Sequence, residues 1–61
     1  MKLRDLERHL KSHGCHFERD GCNHTLWKNP ANVKVAPVPR HRELNEGTAR
    51  TVCAQLRIPK P

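Results

Sequence analysis

Few side chains in this sequence could carry covalent chemistry, and most of them bunch around one stretch, Asp20-Gly21-Cys22-Asn23-His24-Thr25-Leu26-Trp27. His24 is the strongest candidate. An imidazole ordinarily titrates near pH 6.5, so it can take or give a proton around neutrality. By residue type alone, a solitary strand histidine is ordinarily structural. Cys22 and His24 share a strand face at i, i+2, as a thiol and its base would, but nothing nearby suggests an acyl substrate or an oxyanion site. Cys15, His16, Cys22 and His24 together could offer zinc two sulfurs and two nitrogens. Cys15 and Cys22 are too far apart for a zinc knuckle, however, and adjacent Cys15 and His16 point to opposite strand faces. His9 and His13 stand four apart on a helix but lack an acidic companion and a third ligand. No metal and no cofactor is expected.

The elements that must position His24 are legible on either side of it. Leu3, Leu6 and Leu10 recur at spacings of three and four, which predicts a helix over residues 2–13. Asp5 and Glu7 near its start and Lys11 near its end suit the helix dipole, and Gly14 falls where a left-handed C-cap residue belongs. Cys15 to Asp20 and Asn23 to Asn29 read as two strands of a hairpin. With Gly21-Cys22 central, its turn is type II′, Arg19 opposes His24 and Phe17 opposes Leu26. With Asp20-Gly21 central, the turn is type I′ and Phe17 faces His24. The first register is preferred because it pairs two large apolar residues, but a one-residue slip changes every partner.

Asn29-Pro30-Ala31-Asn32 closes the second strand. Val33 to Val38 predicts a third, with Val33 and Val35 on one face and Ala36 and Val38 on the other. Pro37 and Pro39 confine it to an edge. Asn45 is a suitable N-cap for a closing helix that buries Ala49, Val52, Cys53 and Leu56, with Pro59 as its stop. The order is α-β-β-β-α, an α+β fold with one three-stranded antiparallel sheet packed against two helices. Phe17 and Trp27 read as core or platform rather than as base-stacking groups.

Composition narrows the partner. Twelve Lys+Arg against six Asp+Glu leave +6 at neutral pH. That balance favours a polyanion, nucleic acid first and an anionic membrane surface second. With 61 residues the expectation is a single domain, 1–61, too small for an elaborate active site. No apolar run approaches a membrane span, charges interrupt the N-terminus where a leader would lie, and three widely spaced cysteines suit reduced thiols, so a cytoplasmic location is expected.

The ordered set of motifs resembles the HicA toxin family of bacterial and archaeal toxin–antitoxin modules. The likeness runs from Leu3-Arg4-Asp5-Leu6 through His13-Gly14 and Cys15-His16-Phe17-Glu18-Arg19 to the small-residue turn before His24. It continues with Leu26-Trp27, Asn29-Pro30, Val38-Pro39-Arg40-His41, Glu43-Leu44 and Gly47-Thr48. The family's histidine follows Gly-Ser or Gly-Asn; here Cys22-Asn23 precede it, a departure that bears on the turn and leaves the histidine aligned at His24. The resemblance implies a double-stranded-RNA-binding-domain-like fold and endoribonuclease activity on mRNA, with His24 catalytic. It also implies a HicB-type antitoxin that covers the site.

On that reading the 2′-hydroxyl of RNA is the nucleophile, His24 moves its proton, and Arg19, Lys28 or Arg40 stabilises the phosphorane without a metal. His41 is either a second proton-transfer group or a phosphate or antitoxin contact. Lys2, Arg4, Arg8 and Lys11 on the first helix, with Lys34, Arg40, Arg42 and Arg50 later, are candidates to track phosphates. Two alternatives remain: a module of the same fold that holds RNA without cutting it, and a basic interaction protein with no RNA role.

Overall fold

The leucine stripe forms α1 (Leu3–Ser12), and the remaining elements follow as β1 (His16–Asp20), β2 (His24–Asn29), β3 (Lys34–Pro39) and α2 (Glu46–Gln55). The computed structural model describes all 61 residues and has the expected α-β-β-β-α order, with one antiparallel sheet in the order β1-β2-β3. Both prolines of β3 therefore stand on an edge strand, where no neighbour needs their missing N–H. No helix is long and apolar enough to cross a membrane.

Each helix ends by the same device. Gly14, at φ 84°, lets its own N–H reach the Lys11 carbonyl (3.0 Å) and the Cys15 N–H reach that of Leu10 (2.9 Å). These are the paired bonds of a Schellman motif. In α2 the same pair runs from Arg57 to Ala54 (3.2 Å) and from Ile58 to Cys53 (3.0 Å), with Arg57 at φ 59°. The stop thus lies at Arg57, before the expected Pro59, because closing the last carbonyls locally needs only one left-handed residue. At its other end the Asn45 side chain accepts from the Thr48 N–H at 2.7 Å, the cap the sequence promised.

The hairpin departs from both expected registers. Gly21 and His24 close it, the Gly21 N–H donating to the His24 carbonyl at 2.7 Å, so Cys22-Asn23 are central. A Cβ on Gly21 would lie 3.1 Å from that oxygen, so the glycine permits close approach of the strand ends and does not supply a positive φ. The primed turns are therefore absent. Asp20 faces Thr25, Arg19 faces Leu26 and Phe17 faces Trp27, with a β-bulge at Glu18 absorbing the extra residue. The structure still pairs two large apolar residues, but they are Phe17 and Trp27. Val33, assigned to the third strand, sits in the preceding turn instead, exposed and at φ 54°, a costly conformation for a β-branched side chain.

One sheet face is dry. Trp27, Ala36 and Val38 meet Leu6 and Leu10 of α1 and Ala49, Val52 and Cys53 of α2, while Cys15, Leu44 and Leu56 complete the cluster. Trp27 is 3% exposed, and its indole N–H has no acceptor within the protein, so it is core. Each polar atom of the buried Asn29 side chain has a partner: its amide donates to the Leu56 carbonyl at 2.8 Å and its oxygen accepts from Ala31 N–H at 3.0 Å. Asn32 repeats the pattern, donating to the same carbonyl at 3.1 Å.

A further contact closes the chain on itself. Met1 N donates to Leu44 O at 2.9 Å, Leu44 N to Met1 O at 2.8 Å, and Leu3 N to Arg42 O at 2.9 Å. This small antiparallel ladder, with Lys2 opposite Glu43, supplies the partner that α1 lacks at its uncapped start.

Candidate functional site

His24 opens β2 at the edge of the hairpin turn, and its side chain is exposed. Alternation along β2 puts His24, Leu26 and Lys28 on one face and Thr25, Trp27 and Asn29 on the other, which faces the helices. Because Arg19 pairs with Leu26, it shares His24's face one step inward, rather than standing directly opposite as the expected register had it. The open face therefore carries an imidazole, a guanidinium and an ammonium, and across β3 the apolar Val35, Pro37 and Pro39.

Arg40 leaves β3 and turns back to the hairpin tip. Its Nη2 lies 3.0 Å from the Gly21 carbonyl, 3.1 Å from the His24 carbonyl and 3.2 Å from the Asp20 carboxylate. One NH₂ group has two protons for three acceptors, so two of them share one proton. The effect is to tie the backbone on both sides of the turn to β3. Arg40 was expected to stabilise phosphate; in this arrangement one arm of its guanidinium is committed to holding the residue that carries the imidazole.

Two grooves lie beside these residues, one taking in Arg40 and the other His24. The first, of about 470 Å³, forms where the terminal ladder brings α1 beside the β3–α2 connection. Lys2 and Arg4 enter it from one side and Arg40 and Arg42 from the other, with Glu7 and Glu43 also lining it. Lys2, Arg4 and Arg42 make no ion pair with the protein's own carboxylates, leaving them free for a polyanion. The second groove, of about 450 Å³, has His24, Pro37 and Pro39 as its sheet wall and the side chains Thr48, Thr51 and Gln55 on its α2 wall. Periodicity gave no hint of this wall, because its residues lie more than twenty positions from His24 and have no chemistry of their own.

His41 is exposed and lines neither groove. The His9 and His13 rings lie with centroids 4.5 Å apart and planes tilted by 45°, and His9 Nε2 is engaged at 2.7 Å with the Pro59 carbonyl. No three of the His, Cys, Asp and Glu side chains gather in a ligand set for a metal ion. Burial pushes the thiols of Cys15 and Cys53 above their ordinary pKa, with Cys15 adding to the effect on Cys53, so both are poor nucleophiles; Cys22, beside His24, is exposed.

The family model for the HicA toxin of bacterial toxin-antitoxin systems matches residues 3–58, from the first residue of α1 to beyond the end of α2. No curated protein and no solved structure matches. A family match over nearly the entire length, on a fold of the expected order, makes this chain a member of the HicA family, the toxins of bacterial toxin–antitoxin pairs.

Proposed function

We propose that this toxin is an endoribonuclease that cleaves mRNA through His24 without a metal ion, and that a HicB-type antitoxin neutralises it by covering the hairpin face. The observation that carries the reading is the exposed imidazole of His24 on the same open sheet face as Arg19 and Lys28. In the reaction, His24 removes the proton of a ribose 2′-hydroxyl, whose oxygen attacks the adjacent phosphorus. Arg19 and Lys28 offset the charge that develops on the phosphorane oxygens. The bond to the 5′-oxygen breaks, that oxygen is protonated from solvent, and a 2′,3′-cyclic phosphate remains on the upstream fragment. The His24 ring donates no hydrogen bond to a carboxylate, and Pro39 rather than a second base stands opposite it on β3, which fits slow turnover.

The test is incubation of the protein and its His24→Ala variant with a long mRNA in excess EDTA. The expected result is cleavage by the parent that slows about 10²–10⁴-fold in the variant, with cyclic phosphate at the new ends. Equal cleavage by both would remove His24 from the chemistry. Binding without cleavage by either would make the protein a non-catalytic RNA-holding module.

A further inference from the structure

The groove between His24 and α2 differs from the basic groove in having no charged residue in its wall, although 30% of the chain is charged. A surface that tracked phosphates would not be built this way. Its polar groups are neutral and partly unspent. The Gln55 amide makes no hydrogen bond within the protein and is exposed. Asn45 uses its oxygen on the Thr48 N–H, leaving its NH₂ unengaged. Thr51 gives its proton to the Gly47 carbonyl at 2.9 Å, leaving its oxygen as an acceptor. The sheet wall is apolar and rigid, because Pro37 and Pro39 present locked rings.

Those prolines also narrow the choice of occupant. β3 is an edge strand, and a polypeptide adding to its free edge would need backbone donors that Pro37 and Pro39 lack. A flat ring system with hydrogen-bonding edges has no such need. We propose that this groove receives one unpaired nucleobase of a single-stranded RNA, from the nucleotide next to the scissile phosphate, with Gln55, Thr48 and Thr51 reading its edge. The proposal rests on the ribonuclease reading for the words "next to the scissile phosphate" and deepens it by assigning the base contact. Amide side chains match a base edge with an adjacent donor and acceptor, and sequence-specific RNA recognition works on such splayed bases. His24 lines the same groove, so a base held there lies beside the imidazole and one nucleotide is read where the chain is cut.

Two measurements separate this from the reading beneath it. In the first, ¹⁵N-labelled His24→Ala protein is titrated with single-stranded pentanucleotides of A, C, G or U. The expected outcome is movement of the Gln55 side-chain amide and the Thr48 and Thr51 backbone signals, with affinities differing about fivefold or more between bases. Movement confined to the Lys2, Arg4 and Arg42 surface, with equal affinities, overturns the proposal and leaves the groove to a protein partner. In the second, the parent, Gln55→Ala and Thr51→Val cut a random-sequence RNA pool whose ends are sequenced. The expected outcome is a base preference beside the cut that flattens in both variants. A preference unchanged in both overturns the groove assignment while the ribonuclease stands. Groove signals that move with RNA in a protein that never cuts support the base site and sink the ribonuclease.

Discussion

The hairpin that carries His24 and the groove that gathers Lys2, Arg4 and Arg42 are built in opposite ways. The first is local: Gly21 closes on His24 through one backbone bond, and neighbours in sequence are neighbours in space. The second exists only because the start of the chain pairs with residues 42–44. Local construction fixes where one imidazole stands but gathers few charges; long-range construction brings together charge from segments far apart in sequence. Arg40 belongs to both, lining the basic groove while its Nη2 holds the hairpin carbonyls.

That contrast can be broken from either side. His24→Ala is expected to produce the largest effect, the loss of cleavage rate already described with RNA affinity held within about twofold. Replacing Lys2, Arg4 and Arg42 together by Gln should do the reverse. Affinity for RNA should fall about ten- to a hundredfold and the dependence of log K on log salt should flatten by about two, while the positions of the cuts stay put. Binding measured across a salt series checks this; an unchanged slope would mean the groove does not meet phosphates.

Asn29→Ala should destabilise the fold by about 1–3 kcal/mol in urea denaturation, because it removes one of the two ties from the β2–β3 turn to the Leu56 carbonyl and leaves the Ala31 N–H without its acceptor. Its effect on RNA affinity should be negligible, since Asn29 faces the core. Arg40→Ala tests the link between regions. Its side chain is 44% exposed, so the stability loss should be about 1 kcal/mol or less, yet cleavage should slow about tenfold as the hairpin tip loosens. A rate that falls only in proportion to RNA affinity would make Arg40 a phosphate contact instead.

The smallest effect concerns pH. Cys15 and Cys53 hold their protons more tightly in the folded chain than the ordinary value of 9.0, so above that pH the unfolded state loses protons that the folded state keeps. Stability from these groups is complete below pH 9 and declines as pH rises beyond it. Comparing urea midpoints at pH 8 and pH 10 for the parent and Cys53→Ala should show a steeper decline in the parent.

What the sequence disclosed follows the same division. The two helices were legible because apolar stripes, Gly14 and Asn45 are local signals with local causes. The place of the hairpin was legible too, and so was the edge position of β3, from its prolines. The register was not, because it depended on whether Gly21 sits inside the turn or beside it, and on a bulge at Glu18 that leaves no mark in the alternation. His24, Arg19 and Lys28 nevertheless keep one face, since the turn and bulge together preserve their parity. The neutral groove was invisible: Gln55 and Thr51 resemble any exposed helix residues until α2 is laid beside β3. Asn29 and Asn32 were read correctly as turn formers, but their grip on the Leu56 carbonyl could not be inferred.

The ladder between residues 1–3 and 42–44 also divides the fold into short-range and long-range parts. Met1 and Leu44 are 43 positions apart, whereas the hairpin closes over a handful of residues. Loop closure over so long a stretch is slow and needs the intervening elements in place. The basic groove therefore depends on the whole sheet and α1 being in place, whereas the turn that carries His24 depends on residues 21–24 alone. Any change that weakens the pairing of residues 1–3 with 42–44 is therefore felt first in the groove of Lys2, Arg4 and Arg42, and the hairpin is left as it is.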